Sequence, residues 1–194
     1  MKLPLFYEQQ KLKSEALGFN MPSDVLLGSL LKTLVTSKPK GNFLELGTGT
    51  GLSLSWMIAG IDDSSTIISL DNEEKFLQVA KANFDNDQRV TIICADGGEW
   101  ISTYTGYSFD LIFADTWPGK YTHLEETLAL VKPGGFYVVD DLNPQKNWPD
   151  GHDKKAEKLI DYLASRDDFN LARLDWSTGI IVMSRKSFAE KPQE

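Results

Sequence analysis

From Asn42 onward the chain alternates between short apolar runs and longer segments of helical spacing. Apolar runs fall at 42–46, 66–70, 89–93, 109–114 and 135–139, with helix-compatible segments at 52–59, 72–85, 97–104 and 122–131 between them. Strict alternation of this kind predicts right-handed crossovers and a parallel sheet covered by helices on both faces. The near-continuous apolar character of the runs agrees with strands buried on both sides. After a loop rich in Pro, Asn and Trp (142–151), a further helix is predicted over 153–165. Strands at 169–175 and 179–184 then close the chain, and the link Trp176-Ser177-Thr178-Gly179 is short enough to require an antiparallel hairpin. Upstream, Ser23 after Pro22 reads as the N-cap of a helix with Val25, Leu26, Leu30 and Leu34 on its apolar stripe, stopped by Ser37 to Gly41. Residues 3–20 are mixed and predict a partly helical arm.

Composition narrows this picture without redirecting it. The 194 residues suffice for one domain with a substantial core. The expected division is an N-terminal helical arm (1–40), a core (42–185) and a loose polar tail (187–194). A net charge of −8 argues against a nucleic-acid backbone as partner, which normally needs a basic face. Cys94, the single cysteine, lies in the apolar run 90–94 and reads as a small buried core residue. It cannot form an internal disulfide, which fits a reducing cytoplasm. No run approaches the ~20 apolar residues of a membrane span, and Leu3 to Tyr7 is too short for a signal-peptide core. A cytoplasmic protein is therefore expected.

Chemistry is concentrated where the strands end, the edge at which open parallel sheets bind ligands. The first run, Asn42 to Leu46, holds one acid, Glu45, and opens into Gly47-Thr48-Gly49-Thr50-Gly51 before a helix-compatible segment. Glycine there lets the backbone approach a ligand closely, and a helix start adds unpaired N–H groups. Acids follow each later run: Asp71, Asp96, Asp115, and the pair Asp140-Asp141. A carboxylate gains nothing from a core, so acids converging on one edge point to a ligand more strongly than any single one, which could be a helix cap. An acid after the second strand grips ribose hydroxyls in both dinucleotide and S-adenosylmethionine sites. The dinucleotide fingerprint needs a third glycine where this chain has Leu52, and Glu45 suits an ammonium better than a pyrophosphate. The turn favours S-adenosylmethionine.

These motifs, with Phe109-Asp110-Leu-Ile-Phe-Ala-Asp115, Lys132-Pro-Gly-Gly135 and Val139-Asp140-Asp141, resemble those of class I S-adenosylmethionine-dependent methyltransferases, within them the catechol O-methyltransferase-like group. The resemblance covers about residues 22–185. It implies an α/β, Rossmann-like, seven-stranded, mostly parallel sheet with an antiparallel terminal hairpin. It implies methyl transfer to an oxygen of a small-molecule acceptor. Glu45, Gly47, Gly49 and Ser53 would line the methionine end of the cofactor, with Thr48 and Gly51 also among the cofactor-binding residues. Asp71 would hold the ribose, Asp96 would sit by the adenine and Asp115 beside the reacting methyl. Asp115, Asp140 and Asp141 stand where metal-dependent members bind a divalent ion such as magnesium, with Asp141 replacing an Asn.

A second departure is Pro118, which stands where the family carries its catalytic lysine; Lys120 lies two residues on. Asp115, Asp141 and His152 are the candidates for a general base. Trp117 and Trp148 read equally as lid packing or substrate stacking. His123 reads as a solvent-facing or packing residue, and Lys154, Lys155 and Lys158, interleaved with Glu157 and Asp161, as a solvated helix face. The apolar arm could pair two subunits as a homodimer. Alternative readings are a nicotinamide-dependent oxidoreductase, disfavoured by Leu52, and a methyltransferase-like binding module without turnover.

Overall fold

The computed structural model describes residues 2–145 and 148–187. The tail expected to be loose lies, beyond Ser187, outside them. In chain order the elements are α1 (Tyr7–Ala16), α2 (Val25–Thr36), β1 (Asn42–Leu46), α3 (Leu52–Ile58), β2 (Thr66–Asp71), α4 (Glu74–Phe84) and β3 (Val90–Cys94). There follow α5 (Gly97–Thr103), β4 (Phe109–Ala114), α6 (Leu124–Ala129), β5 (Val131–Val139), α7 (His152–Ala164), β6 (Phe169–Leu174) and β7 (Ile180–Arg185).

The strands form one seven-stranded sheet in the order β3-β2-β1-β4-β5-β7-β6. β1 to β5 pair in parallel, and β7 runs antiparallel to both β5 and β6. The period of two along β1 sorts its side chains. Phe43 joins one core layer with Leu27, Leu31, Leu54 and Met57 from α2 and α3. Leu44 and Leu46 join the other with Ile101, Leu128, Leu159 and Leu163 from α5, α6 and α7. Glu45 points to the same side as Phe43, beneath α3. The chain leaves β1 toward β2 and returns on the opposite side at β4, so the crevice between the ends of β1 and β4 is the topological switch point.

Several local expectations are corrected. β3 is the sheet edge rather than a strand covered on both faces, and the Cys94 thiol is exposed. An apolar run of five residues looks alike at the centre and at the edge of a sheet, because only tertiary pairing decides which it is. The cap of α2 is Asp24, whose carboxylate accepts the Leu27 N–H at 2.9 Å; Ser23 lies one residue outside. That helix is core, not arm, since Leu27, Leu31 and Val35 are buried in the layer against the sheet. β5 begins at Val131, with a register shift against β4 between Phe109 and Leu111. α6 is shorter than its apolar pattern suggested, starting after His123 at φ 53°.

Candidate functional site

The glycine turn is held from below. Glu45 is fully buried and accepts the Ser53 hydroxyl at 2.5 Å and the Ser69 hydroxyl on its other oxygen. Thr48 pairs with the same Ser69 hydroxyl. Burial pushes the Glu45 carboxyl up to about 7, against the opposing pull of the two serines. Above this anchor, Gly47, Gly49 and Gly51 take φ of 102°, 52° and 86°. Gly47 is forced by space as well as by φ, because a Cβ there would stand 2.8 Å from the Asp115 carbonyl oxygen across the switch point.

Asp71, at the end of β2, accepts the Gly49 N–H at 2.7 Å and the Glu73 N–H at 2.9 Å. It therefore fixes the turn while remaining on the wall of a cleft between Gly47-Thr48-Gly49 and Phe76. The N-terminal segment roofs this cleft. Phe19 packs edge-on to Phe76 with centroids 4.9 Å apart and lies over Gly49. The buried α1 residues Gln10 and Ser14 tie the segment to the turn through the Thr50 and Gly51 carbonyls and the Thr50 hydroxyl.

Beyond Asp71 the cleft continues into a slot of about 260 Å³, walled by Leu46, Leu70, Trp117 and Pro118 with Asp96 at its rim. Asp96 also caps α5, accepting the Glu99 N–H at 2.9 Å, so capping and wall position coexist. Asp71 is not a cap; α4 is preceded by Glu73.

On the other side of Asp115 opens a larger cavity of about 450 Å³. Carboxylate oxygens of Asp115, Asp140 and Asp141 lie within 4.8 Å of one another at its floor. Asp140 is buried, with Oδ1 lacking a hydrogen-bond partner. Burial and the neighbouring acids hold the Asp115 carboxyl well above its ordinary range. Burial and Asp141 raise that of Asp140 to about 6. Lys120 enters the same cluster. Its ammonium is buried, donates to the Asp140 carbonyl oxygen at 2.6 Å and opposes both upward shifts.

The walls of this cavity are aromatic. The His152 ring lies 4.5 Å from Trp148, 5.3 Å from Tyr121 and 6.0 Å from Trp117 by centroids. Its Nε2 meets the Tyr121 hydroxyl at 3.3 Å, while Nδ1 is buried without a partner. Burial, then Lys120 and Lys155, push the imidazole below its usual range. Tyr121 is raised to about 12 by burial and Asp141.

Of the residues singled out in the sequence, Gly47, Thr48, Gly49, Ser53, Asp71, Asp115 and Asp141 line one continuous trough, with Asp96 and His152 at its two ends. Glu45 and Gly51 do not line it. The first lies beneath the turn and the second forms the corner into α3, packed against Ala80 and Gln10. His123 is half-buried against Gly98. Lys120, Tyr121 and Phe19 were not legible as site residues. Lys120 arrives through a tight turn in which Gly119, at φ 88°, donates to the Thr122 carbonyl and Tyr137 donates to the Gly119 carbonyl at 2.7 Å. Counting residues from Asp115 does not anticipate that turn, although Pro118-Gly119 is a turn signal.

A sequence-family profile described as "Methyltransferase domain" matches residues 44–142. A Mycobacterium avium protein named "Putative O-methyltransferase" is 30% identical over 118 residues, which is 58% of this chain and 53% of that protein. The alignments thus span about half the length of such curated relatives. Among solved structures, the O-methyltransferase TomG from Streptomyces achromogenes in complex with SAM superposes with a TM-score of 0.81 at 19% identity, over 95% of this chain and 91% of that one. The O-methyltransferase from Bacillus cereus in complex with SAH gives 0.77 at 20% identity, over 93% and 90%.

Proposed function

The chain belongs to the methyltransferase-domain family, and from that membership we propose that it transfers a methyl group from S-adenosylmethionine to an oxygen of a small-molecule acceptor. One observation carries this reading: the trough from Asp96 past Asp71 and the glycine turn joins the aromatic cavity at Asp115. Two molecules can thereby meet end to end at one carboxylate.

The residues present fit such a cofactor. The backbone at Gly47 and Gly49 leaves room that any Cβ would fill. Asp71 stands where ribose hydroxyls would be accepted, and the slot offers an adenine the apolar side chains of Leu46, Leu70, Trp117 and Pro118. S-adenosylmethionine supplies an already activated methyl group. The protein's part is then to align the acceptor oxygen and take its proton. Among the candidates for that base, His152 has its imidazole held below its usual range by burial and so neutral near pH 7. Trp117, Tyr121 and Trp148 offer faces for a planar acceptor.

The Asp115–Asp140–Asp141 cluster also fits a divalent ion such as magnesium. It offers convergent hard oxygens, including the unpartnered buried Asp140 Oδ1. An ion there would polarise the acceptor hydroxyl. Lys120 already brings one positive charge to the cluster. Exposed Leu5, Phe6 and Leu12 on and before α1 support pairing of two subunits through the arm. Among the described residues no helix is long and apolar enough to cross a membrane. A cytoplasmic location rests on the lone free thiol of Cys94.

The test is formation of S-adenosylhomocysteine, followed by mass spectrometry, with catechols, hydroxycinnamates and other phenols. Acceptor-dependent product is expected. Tight cofactor binding with no product from any acceptor would instead identify a binding module.

A further inference from the structure

His152 lines the aromatic cavity, yet neither of its ring nitrogens is open to it. It is the first residue of α7 and only 9% exposed, wedged among Trp117, Tyr121 and Trp148. Nδ1 is buried without a hydrogen-bond partner among the described residues, and Nε2 is occupied by the Tyr121 hydroxyl at 3.3 Å. The two rings stand edge to face, at 78°. An acceptor in the cavity has no bare imidazole nitrogen to meet. What it can meet is Tyr121, which lines the same cavity beside Asp115 and Asp141.

A count of protons orients the pair. A neutral imidazole carries one N–H, so two arrangements exist. If Nε2–H donated to the tyrosine oxygen, the phenolic proton would have no protein acceptor among the described residues, and Nδ1 would be a second orphan. If the phenol donates to Nε2, one orphan remains, the buried Nδ1–H. The second arrangement leaves Nε2 as the proton-accepting nitrogen and the lone pairs of the tyrosine oxygen turned to the cavity. The surroundings suit it. Burial, Lys120 and Lys155 favour the uncharged imidazole, against a smaller opposing pull from Asp141 and Asp153. Burial and Asp141 hold the Tyr121 phenol in its protonated form. Such a phenol can take a proton only while giving one up.

We propose that Tyr121 is the catalytic residue that meets the acceptor hydroxyl, and that it relays the acceptor's proton to His152 behind it. This rests on the methyl-transfer reading and adds to it the route of deprotonation. The acceptor's proton passes to the Tyr121 oxygen as the phenolic proton passes to His152 Nε2. The electron pair of the acceptor O–H bond makes the new bond to the methyl carbon, and the pair of the broken C–S bond stays on sulfur. The imidazolium gains the positive charge that the sulfonium loses, so the step leaves the net charge of the site unchanged.

One test needs no turnover. The protein has two histidines, and His152→Gln assigns their nitrogen-15 NMR signals. At about pH 8, where the ring is neutral, His152 should be the Nδ1–H tautomer. Tyr121→Phe keeps the ring, removes the hydroxyl and should shift His152 toward Nε2–H. An Nε2–H tautomer in the unaltered protein would overturn the relay, because that nitrogen could not accept.

The other test uses catechol as acceptor. Tyr121→Phe and His152→Gln should each lower kcat about a hundredfold with KM held within about twofold. The double variant should lose no more than the worse single one, since the two residues serve one proton path. Losses that multiply, or an unchanged kcat in Tyr121→Phe, would reject the relay and leave the methyl-transfer reading standing. No product from any acceptor would defeat that reading and the relay with it.

Discussion

The Lys120 ammonium donates to the main-chain carbonyl of Asp140 across 2.6 Å, bridging the turn after β4 to the end of β5. This places a buried cation against three carboxylates in the absence of a lysine at position 118. Lys120→Met keeps the bulk and removes both donor and charge. It should cost about 1–3 kcal/mol of stability, because the carbonyl is left unsatisfied in a buried place. Turnover should fall at least about tenfold while cofactor affinity holds. Urea unfolding with steady-state kinetics checks both, and an unchanged kcat would remove Lys120 from the reaction.

Asp71 both fixes the Gly49 N–H and walls the cleft proposed to take the cofactor. Asp71→Ala should weaken S-adenosylhomocysteine binding at least about a hundredfold, since two backbone donors and the ribose hydroxyls lose one acceptor. The fold should survive, because Asp71 is not part of either apolar core layer. Calorimetry decides this. Unchanged affinity in a folded variant would sink the assignment of that cleft.

Gly47 and Gly49 should respond differently to the same substitution. Gly47→Ala meets rigid backbone, the Asp115 carbonyl, at φ 102°. It should cost about 2–4 kcal/mol. Gly49→Ala meets the Phe19 ring, a side chain on the roofing segment that can shift. It should cost about 1–2 kcal/mol while weakening the roof. Paired thermal melts of the two variants test the order, and a larger loss at position 49 would contradict it.

Glu45 predicts a pH dependence of folding. Its carboxyl ordinarily titrates near 4.5 and is pushed up to about 7 by burial in the native state. The folded state therefore holds the proton more tightly. The resulting stabilisation is complete below about pH 4.5 and is lost as pH rises through about 7, amounting to at most about 3 kcal/mol. Glu45→Gln has no proton to lose there. Between about pH 5 and about pH 8, unfolding free energy should fall more steeply in the unaltered protein than in the variant. Parallel slopes would show that the carboxyl titrates normally.

For the acid cluster, chelator should lower turnover and magnesium should restore it. The ion would relieve the mutual repulsion of Asp115, Asp140 and Asp141. Magnesium should also raise the melting temperature of the unaltered protein but not of an Asp140→Asn variant. Turnover indifferent to chelator would leave Lys120, among the described residues, as the cation serving those acids.

The sequence by itself determined the order of elements and the edge at which the acids and the glycine turn gather. The period of two in Phe43-Leu44-Glu45-Leu46 and the acids after each strand are local signals, readable without any partner. It also marked Gly47 and Gly49, whose φ values only glycine adopts without strain. What it could not decide depended on pairing between distant segments. Whether Val90 to Cys94 is an edge or a centre is set by the strands beside it, and so Cys94 proved exposed. Glu45 lies beneath the turn rather than in the cleft, because Ser53 and Ser69 reach it from α3 and β2. Lys120 meets Asp140 because the turn at Gly119 is pinned by Tyr137, which comes from another strand. Lys155 lies over Trp117 only once α7 has packed against that turn. Contacts between residues far apart in the chain carry no local period, and tertiary packing alone creates them.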